Sequence, residues 1–65
     1  MKLEPGDKVH YCSGSGNKEN GIVKSQHATL DDIVFVVYKC AGDWDNYYNY
    51  TGVATPIYKL KEDWI

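Results

Sequence analysis

Trp44, Asp45, Tyr47, Tyr48 and Asn49 fall within one ten-residue stretch, Asp43 to Gly52, which holds four of the chain's nine aromatic side chains among acids and amides. Rings in a loop or at a strand mouth give large, stiff contact area at low entropic cost. Interleaved Asp and Asn side chains can orient a cationic or hydrogen-bonding ligand beside them. This stretch is the first candidate for a binding surface.

Other constellations carry less chemistry. Asp43, Asp45, Tyr47 and Asn49 alternate like the start of a calcium loop, but Tyr48 stands at the sixth position where Gly is needed and Ala54 at the twelfth where Glu belongs. Cys12 lies near His10, but a nucleophile and base pair is not expected. His10 and His27 could face one another across the first two strands, and both read as packing or solvent-facing rings. Ser13-Gly14-Ser15-Gly16 lacks the Lys and the following helix of a phosphate loop. Asn49-Tyr50-Thr51 matches a glycosylation acceptor, meaningful only in a eukaryotic secreted chain. Cys12 and Cys40 have no Cys-x-x-Cys spacing and read as reduced thiols, with a disulfide open if their strands end close together. No metal, no cofactor and no enzymatic activity are expected.

These residues must be positioned by a small body. The 65 residues make one domain, 1–65, whose core lies near the lower limit for independent folding, so most apolar residues are committed to the fold. Spare aromatics are informative for that reason. With 43% hydrophobic and 25% charged residues the chain has neither a disordered nor a membrane composition. The start Met1-Lys2-Leu3-Glu4-Pro5-Gly6 holds no apolar run of signal-peptide length, so a cytoplasmic chain is expected, with secretion open if a leader was removed. The net charge is −2, from seven Lys, no Arg and nine acids. The lack of Arg weakens nucleic-acid binding, although Lys8, Lys18 and Lys24 could line one face.

Pro5-Gly6-Asp7 is a turn launching a first strand over Lys8 to Cys12. Ser13 to Asn20 reads as a polar loop with Asn20-Gly21 as the turn at its exit, and a second strand runs from Gly21 to His27. Ala28 to Asp32 reads as a wide turn or an extended hairpin end. Ile33 to Lys39 is the strongest strand, apolar at every position through Tyr38, which implies cover on both faces. Tyr50 to Thr55 reads as strand four and Pro56-Ile57-Tyr58 as a helical turn. Tyr58 to Leu60, or the segment just beyond it, closes the barrel, and Trp64 is expected to pack back on the body. Close-spaced short strands with Gly-rich turns predict an all-β, five-stranded antiparallel barrel.

Gly6-Asp7-x-Val9, then Gly21-Ile22-Val23, then Val34-Phe35-Val36-x-Tyr38, and finally Val53 with Leu60 resemble the pattern of Tudor-type SH3-like barrels from residue 5 to about 61. The aromatic loop also resembles small uncharacterised bacterial and prophage proteins of this kind. With strands one and three running the same way, Tyr11, Cys12, Tyr38 and Cys40 finish at one end, where loops 13–20 and 41–50 emerge. The resemblance implies an aromatic cage for methylated Lys or Arg there, at Tyr11, Tyr38, Trp44 and Tyr47, with Asp45 or Asn49 as polar partner. Such a cage works because ring faces attract a cation, at about 0.5–2 kcal/mol per contact. Crowding of Trp44, Tyr47, Tyr48 and Tyr50 into one loop departs from that pattern, and at least two of the four are expected to fold over the open end of the core. The expected function is a binding or adaptor module for a protein or peptide. The alternatives are a nucleic-acid-binding barrel using Lys8, Lys18 and Lys24, or a structural subunit whose aromatic patch is an oligomer interface. No membrane partner is expected.

Overall fold

A computed structural model describes residues 3–38 and 42–65. Five strands, β1 (Lys8–Cys12), β2 (Lys18–Gln26), β3 (Ile33–Tyr38), β4 (Val53–Pro56) and β5 (Leu60–Glu62), alternate late in the chain with two 3₁₀ segments, η1 (Trp44–Asn49) and η2 (Ile57–Lys59). They form one antiparallel sheet in the order β4-β3-β2-β1-β5, curled strongly into a half-barrel. The curl has a local source in β2. Val23 pairs with Val36 but Ser25 pairs with Phe35, so Lys24 is an extra residue, and such a bulge bends a strand and increases its twist.

Register assigns each side chain to a face. Val9, Val23, Val34, Val36 and Leu60 fill the concave side together with Leu3, and Tyr11, Tyr38 and Ile57 pack against this cluster. The largest fully buried side chains are all Val, so this core is aliphatic and the rings lie around its rim. Ile22 and Val37 pair across β2 and β3 on the opposite, convex side and are buried as well. Segment η1 packs on β2, and the Trp64 indole N–H donates to the Gly21 carbonyl at 2.8 Å, so loop and C-terminus cover the convex side. Both faces of β3 are thereby covered, as its unbroken apolar run requires.

The strand-one reading coincides with β1, and the helical turn and short final strand fall at η2 and β5. Three points differ. Asn20-Gly21 is not a turn but lies inside the nine-residue β2, and the reversal occurs at residues 13–17, where Ser13 N–H donates to the Asn17 carbonyl. Gly21 serves close approach instead: a Cβ there would stand 2.6 Å from Val36 Cγ1 and 2.9 Å from Tyr38 Cδ1. Strand four starts at Val53 rather than Tyr50, because residues 50–52 complete the aromatic loop. The barrel is open. No ladder joins β4 to β5 among the described residues, and η2 bridges them, with Ile57 N–H donating to the Asp32 carbonyl at 2.8 Å. The end of the strand-three reading, Lys39, and the proposed Cys12–Cys40 relation lie outside the described residues.

Candidate functional site

Tyr11 leaves β1 on the concave side, directly opposite Glu19 of β2, and Tyr38 ends β3 opposite Gly21. Because Gly21 has no side chain, the Tyr38 ring lies over β2 and reaches Tyr11 with centroids 6.3 Å apart and planes at 79°. An edge-to-face pair is favoured by the ring quadrupoles and leaves part of a ring face open to a third group. The two rings form one wall of a cleft of about 270 Å³, completed by Glu19, Val53, Thr55 and Lys59.

Hydrogen bonding fixes the floor of this cleft. The Thr55 hydroxyl donates to the Val53 carbonyl at 3.0 Å, so in its 3.1 Å contact with Tyr38 the phenol is the donor. Burial raises the Tyr38 pKa above its ordinary 10.0. The charges of Glu19 and Tyr11 push it further up. Tyr38 is therefore a neutral, oriented ring across the physiological range. Two ring surfaces beside a carboxylate suit a cation carried on an apolar stem, with Val53, 54% exposed, as apolar rim.

The aromatic loop is arranged differently. The Asp43 carboxylate accepts from Asn46 Nδ2 at 2.8 Å and from the Tyr50 hydroxyl at 2.9 Å, tying the start of η1 to its end. Trp44 packs on Trp64 with centroids 4.8 Å apart, and the Lys8 ammonium stands 4.7 Å from the Trp64 ring centre. Tyr47 meets Tyr48 edge-on at 5.7 Å, and its hydroxyl reaches the turn at Gly6, which adopts φ +94°. Tyr48 is the exposed ring of the group at 59%, and Asp45 and Asn49 are exposed beside it. Lys8 and Ile22 are register partners on the convex side, so this cluster lies across the sheet from Tyr11 and Tyr38.

The seven candidate residues thus divide into Tyr11 with Tyr38 on one face and Trp44, Asp45, Tyr47, Tyr48 and Asn49 on the other, and the four rings of the expected cage do not converge. Glu19, Thr55 and Lys59 enter the concave cleft without having been singled out. Glu19 was legible in principle, because a second strand beginning at Lys18 pairs it with Tyr11.

The histidines do not face one another. His10 pairs with Asn20 and Lys61, and its Nδ1 lies 2.8 Å from the Asp63 carbonyl. His27 stacks on Phe35, and its Nδ1 accepts the backbone N–H groups of Thr29 and Leu30, both at 3.1 Å, organising the turn before β3. Among the described residues no group of three or more His, Cys, Asp or Glu side chains converges as a metal site would. No family model matches this sequence, and neither curated proteins nor solved structures give a match.

Proposed function

We propose that this domain is a non-enzymatic binding module that takes a basic side chain of a protein or peptide partner into the Tyr11–Tyr38–Glu19 cleft, in the manner of Tudor-type SH3-like barrels. The observation that carries the reading is the edge-to-face tyrosine pair beside a carboxylate in a solvent-open cleft. The five-stranded half-barrel and the origin of the rings at β1 and β3 agree with the sequence resemblance.

Nucleic-acid binding has less support from the lysines once assigned to it. Lys8 is engaged over Trp64 and the Lys24 ammonium donates to the Tyr50 carbonyl, which leaves Lys18, exposed like Lys8, as the one of the three outside such a contact among the described residues. A second protein-binding reading rests on Tyr48, whose exposure makes η1 a contact or oligomer surface. Titration of Lys- and Arg-containing peptides, followed by ring chemical shifts, decides between the faces. Binding abolished by Tyr11→Ala and Glu19→Gln but retained by Tyr48→Ala supports the cleft. Binding abolished only by Tyr48→Ala moves the site to η1.

A further inference from the structure

We infer that Lys59 is a built-in occupant of the cation position in the concave cleft, so that it sets which cationic ligands the cleft accepts. This rests on the cleft reading above and adds a competitor to it. Lys59 is the last residue of η2, and its ammonium stands 6.0 Å from the ring centres of both Tyr11 and Tyr58, at the outer limit of cation–π contact. It lines the same cleft as Glu19, so one of the attractions that would hold a ligand cation there, a tyrosine ring, already acts on a cation of the chain itself. Tyr58, 77% exposed, is the outer ring of this arrangement.

The energetics decide how strong the competitor is. A contact at the distance limit and open to water is worth little, about 0.5–1 kcal/mol. Lys59 is therefore displaceable, and it selects rather than blocks. A strongly hydrated primary ammonium gains little over the resident Lys59 ammonium, which has the same chemistry at high local concentration. A bulkier, weakly hydrated cation loses less water on entering between the rings and displaces Lys59 more readily. An incoming cation also meets like-charge repulsion until the flexible lysine stem swings out.

The test uses tetramethylammonium and methylammonium as probes, titrated into the full chain and into Lys59→Met, which keeps the stem length and removes the charge. Binding is read from the Tyr11 and Tyr38 ring resonances. The Lys59 ε-methylene protons provide a second readout, since they adjoin an ammonium that stands near the Tyr11 and Tyr58 rings. Saturation with tetramethylammonium is expected to shift these protons toward their solvent-exposed value. Lys59→Met is expected to bind tetramethylammonium about two- to fivefold more tightly, the equivalent of one weak cation–π contact, and methylammonium by at least the same factor. Equal or weaker binding by Lys59→Met, with the wild type still binding through Tyr11, overturns the role of Lys59 and leaves the cleft reading standing. No binding of either probe to either protein overturns both.

Discussion

The two aromatic groups of this domain are assembled in opposite ways. On the concave side Tyr11 and Tyr38 come from strands far apart in sequence, brought together by sheet register and by the missing side chain at Gly21. On the convex side the rings of η1 are neighbours in sequence, and the same loop covers Ile22 and Val37 together with the C-terminal Trp64. The dense cluster is mainly cover and the sparse pair is a cleft. A small domain explains the division. Its aliphatic core fills one side of the half-barrel, and the other side needs large side chains delivered by a loop, since no further layer of secondary structure is available.

The sharpest way to break this comparison is Trp64→Ala. Loss of the Trp44 stack and of the bond to the Gly21 carbonyl is expected to cost about 3 kcal/mol, comparable to the whole stability of a domain this small. Urea unfolding followed by circular dichroism measures it, and a loss under about 1 kcal/mol would remove the convex cover from the account. Trp44→Ala is expected to fall in the same direction with a smaller loss.

Gly21→Ala acts on the concave side. The added methyl meets Val36 and Tyr38, with an expected loss of about 1–3 kcal/mol from overpacking. The Tyr11–Tyr38 geometry should change with it, visible as shifted ring resonances. Unchanged tyrosine spectra would show that Gly21 does not set the cleft.

Tyr38→Phe sharpens the same face with a milder change. Loss of the bond to Thr55 is expected to cost about 1 kcal/mol at neutral pH. The alkaline limb carries more information. Burial raises the folded Tyr38 pKa above 10.0, so the unfolded chain releases this proton first, and above that pH it binds fewer protons than the fold. Stability from this group is complete below pH 10, falls as pH rises above it, and is lost through the raised folded value. Unfolding curves measured across this range should therefore decline more steeply in the wild type than in Tyr38→Phe, and parallel declines would contradict a raised Tyr38.

The smallest expected effect is the most discriminating between faces. Tyr48→Ala, at an exposed ring, should change stability by no more than about 0.5 kcal/mol. A loss as large as that of Trp44→Ala would mean that η1 is cover throughout and carries no free contact surface.

Much of the sheet was legible in the chain. The alternation of Lys8 to Cys12 and the apolar run from Ile33 to Tyr38 marked β1 and β3, because a strand's period and its burial on both faces are written in consecutive residues. Strand parity also carried the placement of Tyr11 and Tyr38 toward one end. The start of β2 was hidden because Asn-Gly is locally a turn signal, and only the approach of Tyr38 and Val36 across the sheet explains a glycine in mid-strand. Crowded rings in Trp44 to Tyr50 marked a distinct region without telling on which face it would rest.

By itself the sequence determined the β class and the strand run through the core, since these follow from local periodicity and from the shortage of core in 65 residues. Tertiary structure alone decided that the half-barrel stays open between β4 and β5, that Trp64 rather than Tyr11 meets Trp44, and that Glu19, Thr55 and Lys59 complete the cleft. Each of those depends on a bulge, a register or a loop path. These are set by the simultaneous packing of distant segments, which no window of neighbouring residues contains.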